Sequence, residues 1–420
     1  MGNFSFRKCK IPTAWRLGTL GEISTSFSNQ RVPLKSADRK LCQGQYRYFG
    51  AQGVIDHIDD YIFDGKYLLV AEDGENVKSR KYDIAFVVEG KFWVNNHAHV
   101  LQGNAFGDTD YLRYVLNFVS IKEYVTGQAQ PKLNKAQLEK IVITIPPLDE
   151  QQKIAEVLST VDKKIDLIDQ KIAETVKLKT GLMQKLFSEG VGVQDSDGNW
   201  QPHSEFQDSP FGKVPSSWAL ETLEQRLDVI KDGTHFSPKS KEGPCKYLTS
   251  KNIRFGELDL TNISYISQEE HDRIYKGSPV KYGDILLTKD GANTGNAAIN
   301  TLEEPFSLLS SVAYLRGSEK DVDHGYLLQL LLSPKGQSMM KSAMAGQAIT
   351  RLTLKKIGAF VLPFAPIDEQ NEIERILSTV DKKLQLLKKQ KSETQQLKKG
   401  LMQKLLTGEW RVPVEETEAA

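Results

Sequence analysis

The chain has 420 residues, 39% of them hydrophobic, with 55 Lys and Arg against 54 Asp and Glu. That length allows two to four domains with real cores, while a formal charge of +1 gives no compositional sign of a nucleic-acid partner, so any such binding has to come from local patches. No apolar run reaches the roughly 18 residues of a membrane span and the N-terminus lacks a signal-type apolar stretch, which makes the cytoplasm the default compartment and gives no sign of a membrane partner.

Residues 1–146 read as an α+β domain. IPTAWRLGTLGEIS opens it, and β-rich runs broken by Gly and Asp follow: YRYFGAQGVID, KYLLVAEDG, YDIAFVVEG and FWVNNHAHVLQG. A more helical piece spans 110–124. GQAQPKLNKAQLEKIVITIPP then leads into a central helix over 147–190, where Ile154, Leu158, Val161, Ile165, Ile168 and Ile172 recur at the 4-3-4-3-4 spacing of a coiled-coil seam. Asp149 and Glu150 follow Pro147, where a helix N-terminus favours negative charge. At about 1.5 Å per residue, a helix of about 40 residues is roughly 60 Å long, so it has to project from its domain or bridge two.

Residues 191–213, rich in Gly, Ser, Asp, Gln and Pro and without periodicity, read as a linker or surface loop. The plan restarts over 214–365. VPSSWALETL matches IPTAWRLGTL, with Pro215 and Trp218 standing for Pro12 and Trp15, and DILLTKDGANTG parallels YLLVAEDGENV. Over 366–409 the helix is written again: Pro366, Asp368 and Gly400 each lie 219 residues after Pro147, Asp149 and Gly181, and Ile373, Leu377, Val380, Leu384 and Leu387 repeat the seam. A gapless match of this kind is a duplication. Gly127-Gln-Ala and Gly346-Gln-Ala keep the same spacing, but within the domains the offset drifts. The domains have diverged in their loops while the helices have kept their length. The tail, 410–420, is acidic and reads as loose.

Continuing the seam falls on Thr175 and Lys179, and in the second copy on Lys391, Thr394 and Lys398. Apolar residues instead spread into a broader surface at Leu178, Leu182, Met183 and Leu186, and at Leu397, Leu401, Met402 and Leu405, of which Leu182, Met183 and Leu186, with Leu401, Met402 and Leu405, are the docking candidates. Two readings stand: a helix end tucked against its own domain, or a docking site for a partner subunit.

No P-loop, GxGxxG, HExxH, GxSxG or CxxC pattern is present, so the sequence offers no catalytic residue and no cofactor or metal site of its own. The three cysteines, Cys9, Cys42 and Cys245, are dispersed, which fits unpaired thiols in a reducing compartment. Two Asp-Gly pairs, Asp73-Gly74 and Asp290-Gly291, read as plain β-turns or as loops able to approach a ligand backbone. Around them cluster side chains suited to reading DNA: Gln52, Asn76, Lys78, Arg80, Asn95, Asn96 and His97 in the first domain, and Lys231, Thr234, His235, Lys251, Asn252, Arg254, Lys289 and Asn293 in the second. Asn and Gln pair with adenine and Arg with guanine, while Lys serves phosphates.

The duplicated PLDEQQKIAEVL and PIDEQNEIERIL, each after a domain ending in Gly-Gln-Ala and a hydrophobic run with proline, resemble the specificity subunit of type I restriction-modification enzymes over nearly the whole chain. The resemblance implies two target-recognition domains, each followed by a long helix, with the helices packed as an antiparallel coiled coil in pseudo-two-fold symmetry. It implies a non-catalytic reader of double-stranded DNA, one half-site per domain, with the helices setting the spacer. It implies two modification (methyltransferase) subunits and restriction (translocase and nuclease) subunits as partners, with S-adenosylmethionine, ATP and Mg2+ on those partners. The methyltransferase motif (N/D)-P-P-(Y/F) is missing, since the one Pro-Pro pair is Pro146-Pro147. A duplicated coiled-coil scaffold that joins proteins without sequence-specific DNA binding is the alternative, favoured by the neutral charge and the apolar helix ends.

Overall fold

A computed structural model describes residues 4–8, 10–127, 130–344 and 351–413. The Gln-Ala of the first Gly-Gln-Ala, all of the second, and most of the acidic tail lie outside the described residues. The chain divides into two compact units. One holds the residues up to Gln170 together with those from Lys389 onward, and the other holds Lys171–Lys388. Each unit therefore contains one α+β domain, the start of the long helix that follows it, and the end of the other long helix.

In the first unit a six-stranded sheet runs in the order Ser24–Ser26, Ala98–Gly103, Phe63–Ala71, Ala85–Val94, Gln43–Gly50, Gly53–Ile58. All neighbours are antiparallel except Gln43–Gly50 beside Ala85–Val94, which run parallel. Burial explains these elements: Leu68, Leu69 and Val70 are wholly buried in a strand covered on both faces. The covering helix Thr109–Phe118 starts where Asp108 accepts a hydrogen bond from the Tyr111 amide at 2.8 Å. A separate pair, Arg16–Thr19 against Val142–Ile145, delivers the chain to the first long helix.

The second unit repeats the plan with the sheet split. Val229–Asp232, Val312–Arg316, Ile285–Thr288 and Ala297–Ile299 form four strands, and Ser264–Ile266, Cys245–Leu248 and Ser307–Leu308 form three. The parallel contact recurs between Cys245–Leu248 and Ser307–Leu308. The covering helix His324–Leu332 is capped by Asp323 as its counterpart is by Asp108, and Ala219–Thr222 pairs with Val361–Phe364 before the second long helix. The stretch expected to be a linker carries two hairpins, Val193–Gln194 with Trp200–Gln201 and Phe206–Ser209 with Gly212–Pro215. Phe211 and Val214 insert into the core beside Trp218 and Tyr326.

The long helices span Leu148–Glu189 and Ile367–Leu406. In the first unit Lys398 and Lys391 lie 2.6 Å from Asp162 and Asp169, and in the second Lys179 lies 2.7 Å from Asp381. Each pair of residue numbers adds to 560, the mark of antiparallel neighbours. The polar residues that interrupt the expected seam are therefore its register pins, and Thr175 and Thr394 turn inward to bond the Lys171 and Gln390 carbonyls of their own helices.

The duplicated Asp-Glu-Gln now has a physical reason. Glu150 is 1% exposed and accepts from the Trp15 indole at 2.8 Å and from the Arg411 guanidinium at 2.5 and 2.8 Å. Glu369 is equally buried and accepts from Trp218 at 2.7 Å and from the amides of Val191 and Gly192, with His203 at 3.0 Å in the place of Arg411. Gln151 and Gln370 hold the loops before the covering helices through the amides of Asp108 and Asp323.

Candidate nucleic-acid interface

Three loops meet at one end of each sheet. In the first domain they are the hairpin tip at 50–53, the Asp73-Gly74 loop and the turn at 95–97. The Asn95 amide donates to the Phe49 carbonyl at 3.0 Å, the Glu72 amide to the His97 carbonyl at 2.9 Å, and His97 Nδ1 lies 2.7 Å from Asp73. In the second domain the loops are 249–252, 289–293 and 309–311. The Lys289 amide donates to the Ser311 carbonyl at 2.9 Å, and Asn293 reaches the Ser250 carbonyl at 3.4 Å. A fourth segment is stitched on in each, Lys132-Leu133 and Arg351-Leu352, by Leu133 and Leu352 amides that donate to Glu72 and Lys289.

Gly74 and Gly291 have φ of 98° and 93°, and nothing of the chain lies within 4 Å of a Cβ built on either. The glycines are there because the turn demands a left-handed backbone.

In the first domain Gln52, Asn96 and His97 are exposed, His97 against Asp73 and the other two on the adjoining loops. In the second Lys251 is exposed beside the Ser250 that half-buried Asn293 reaches, exposed His235 stands 3.4 Å from Asp232, and exposed Lys231 lies in the strand Val229–Asp232 opposite Tyr314. Other expected readers are structural. Asn76, 5% exposed, spends its amide on the backbone of Tyr82 and Asp83. Asn95 accepts from the His97 amide inside its own turn. Thr234 is buried and accepts from the Phe236 amide, and Asn252, 4% exposed, binds the Asp259 and Asn262 carbonyls. Arg80, the one non-glycine residue among those described with positive φ, clamps the end of the covering helix through the Leu116 and Asn117 carbonyls at 2.9 and 3.0 Å. Burial pulls its guanidinium down to about 10, still cationic at neutral pH. Lys289 is 2% exposed and paired with Asp232. Lys78 is exposed but lines a concavity with Val77 and Lys122, and Arg254 is exposed beside Asp259.

The helix-end residues also need correction. Met183 and Leu186 are buried with Trp218 and Tyr326, and Met402 and Leu405 with Trp15 and Ile143. Those four belong to cores and offer no surface to a partner; Leu182 and Leu401 are half-buried against the same cores. The end of each helix is tucked against a domain, and that domain is the other one. Among the described residues the exposed large apolar side chains of the helices are Leu148, Leu167, Val176 and Leu178 in the first and Leu386 and Leu397 in the second, of which Leu167 and Leu386, and Leu178 and Leu397, stand at equivalent positions.

Sequence reasoning missed Arg31, Glu72 and Asp232. The Arg31 guanidinium donates to Glu72 at 2.7 Å and to the Asn96 and Ala98 carbonyls at 3.2 and 2.8 Å. Burial pushes the Glu72 carboxyl up, but the Arg31 hydrogen bond, the nearby His99 and Lys132 outweigh it and hold the group below its usual range. Only the sheet topology brings these residues together.

A family model described as type I restriction modification DNA specificity domain matches residues 12–177 and again 230–396. The type I restriction enzyme MjaVIII specificity subunit of Methanocaldococcus jannaschii is 25% identical over 96% of this chain and 94% of its own length. A putative type I restriction enzyme specificity subunit of Haemophilus influenzae is 27% identical over 86% of each chain. The crystal structure of a type I restriction-modification S subunit from M. genitalium superposes with a TM-score of 0.61 at 16% identity, covering 95% of this chain and 97% of that one. These matches favour DNA specificity over the interaction-scaffold reading.

Proposed function

Because this chain belongs to the type I restriction-modification DNA specificity family, we propose that it reads a split DNA site, each recognition domain reading one half through the loop cluster at the end of its sheet. It is a specificity chain and not a catalyst. The observation that carries this is the repeated cluster: equivalent backbone positions in both domains hold the loops together, while the side chains they carry differ, exposed Gln52, Asn96 and His97 in one and exposed Lys251 and His235 with half-buried Asn293 in the other. Equal scaffolds with unequal tips suit two different half-sequences.

The near-neutral charge leaves phosphate neutralisation, which supplies much of the affinity for DNA, to partner surfaces. The partners proposed are two modification subunits, which bring S-adenosylmethionine, and restriction subunits, which bring ATP and Mg2+, in the cytoplasm. Leu167 and Leu178, with Leu386 and Leu397, support two equivalent docking patches, since all four are about half exposed or more at matching helix positions. Among the described residues no helix is long and apolar enough to cross a membrane. The spacer between the half-sites is set by the length of the two helices.

Replacing residues 1–146 by the corresponding domain of another family member, with methylated adenines mapped across the genome, tests the reading. One half of the methylated motif should change while the other half stays. A change in both halves, or in neither, overturns it.

A further inference from the structure

Behind each loop cluster lies a buried charge, and its sign is reversed between the two domains. In the first it is Glu72, whose side chain is 11% exposed. Its carboxylate takes Arg31 at 2.7 Å and Lys132 at 3.2 Å, with His99 at 3.7 Å. Arg31 in turn donates through Nε to the Ser28 carbonyl at 2.7 Å and through Nη1 to the carbonyls that flank His97. One ion pair thereby ties together the Ser28 turn, the root of the Asp73-Gly74 loop, the 95–97 turn and the 132–133 segment.

In the second domain the equivalent position is Lys289, identified by its backbone bonds to Ser311 and Leu352, which match those of Glu72 to His97 and Leu133. Its side chain is 3% exposed and its Nζ lies 3.0 Å from Asp232. Asp232 ends the strand that leads to His235, whose Nε2 stands 3.4 Å away.

A charge so deeply placed is tolerated only while its partner is present, and removing one member leaves the other uncompensated. In the first domain the turns hung on that pair then lose the group that fixes their carbonyls, in the second the strand leading to His235 loses its tie to the 289–293 loop, and the exposed side chains these segments carry lose their aim. Sub-ångström aim is what bidentate base recognition depends on.

We propose that Glu72 with Arg31, and Lys289 with Asp232, are positioning residues for base readout, each pair fixing the loop cluster of its own domain and no other. This rests on the assignment of the loop clusters to base reading. It goes further in naming residues that touch no base yet set half-site selectivity.

The test uses the full chain assembled with its modification partners in cells, with adenine methylation mapped on cognate half-sites and on half-sites carrying one mismatch. Glu72→Gln should lower the preference for cognate over mismatched sequence in the first domain's half-site by about ten-fold, the discrimination that one good base contact supplies, and leave the other half unchanged. Lys289→Met should do the same to the second half only. Exchanging the second pair, Asp232→Lys with Lys289→Asp, should recover most of the lost preference. Where Glu72→Gln fails to assemble, Arg31→Lys keeps the charge while losing the guanidinium fork, and the same one-sided relaxation is expected. Uniformly weaker methylation with base preference intact in both halves would mean that the pairs only hold the fold, and would overturn the proposal. The domain exchange described above is independent of these variants: a motif that follows the exchanged domain while Glu72→Gln leaves it unaltered sinks this inference alone.

Discussion

Glu150 is a carboxylate almost wholly out of water, and what it costs to bury is offset by three donated hydrogen bonds, one from Trp15 and two from Arg411. Arg411→Ala should therefore lower the stability of the first unit by about 1–2 kcal/mol, a discounted figure because the guanidinium is 46% exposed and partly screened. Urea denaturation of the whole chain would measure it. Adding Glu150→Gln to that variant should recover part of the loss, since the amide keeps an acceptor for Trp15 without a buried charge. An Arg411→Ala protein as stable as the parent would show that the clasp contributes nothing. At this scale the sequence was only half legible. Asp-Gly turns and polar clusters pointed to loops that do lie together in each domain, but Asn76, Asn252 and Lys289 look like readers in one dimension and are spent on backbone or buried partners in three. Arg31 and Glu72, 41 positions apart, carry no motif at all, and their pairing exists only because the sheet places their strands and turns side by side.

The long helices were the most legible elements, because a narrow apolar stripe, a proline with acidic neighbours at the start, and a gapless second copy are all written in the local sequence. The direction in which they pair shows in the polar positions of the seam. Asp162 holds Lys398 at 2.6 Å and also accepts from Arg113 at 2.9 Å and Tyr114 at 2.8 Å. Asp162→Ala should cost about 2–3 kcal/mol, because it strands two half-buried cations at once. Replacing Asp162 and Lys398 together by leucine should cost less, since one of the two cations leaves with its acceptor and only Arg113 stays uncompensated. Thermal unfolding of the single and double variants decides, and equal losses in both would remove the register role. The 191–213 stretch misled for the opposite reason. Its anchors are isolated residues with no periodicity to register: His203 between the two hairpins, Phe211 in the turn of the second and Val214 in that hairpin's four-residue strand.

Across the whole chain, each unit combines a recognition domain with the beginning of its own helix and the end of the other. Neither domain closes its core alone: Leu405 and Leu406 complete the first core, and Leu186 and Phe187 the second. Helix length is thereby built into both units, which is why the helices hold a fixed offset of 219 while the domains between them drift. The most direct measurement is the methylated motif produced by a chain with matched insertions of a few residues in the middle of both long helices, mapped genome-wide beside the parent. The expected result is two unaltered half-sequences separated by a different number of unread bases. The parental spacing, or altered half-sequences at the parental spacing, would contradict it.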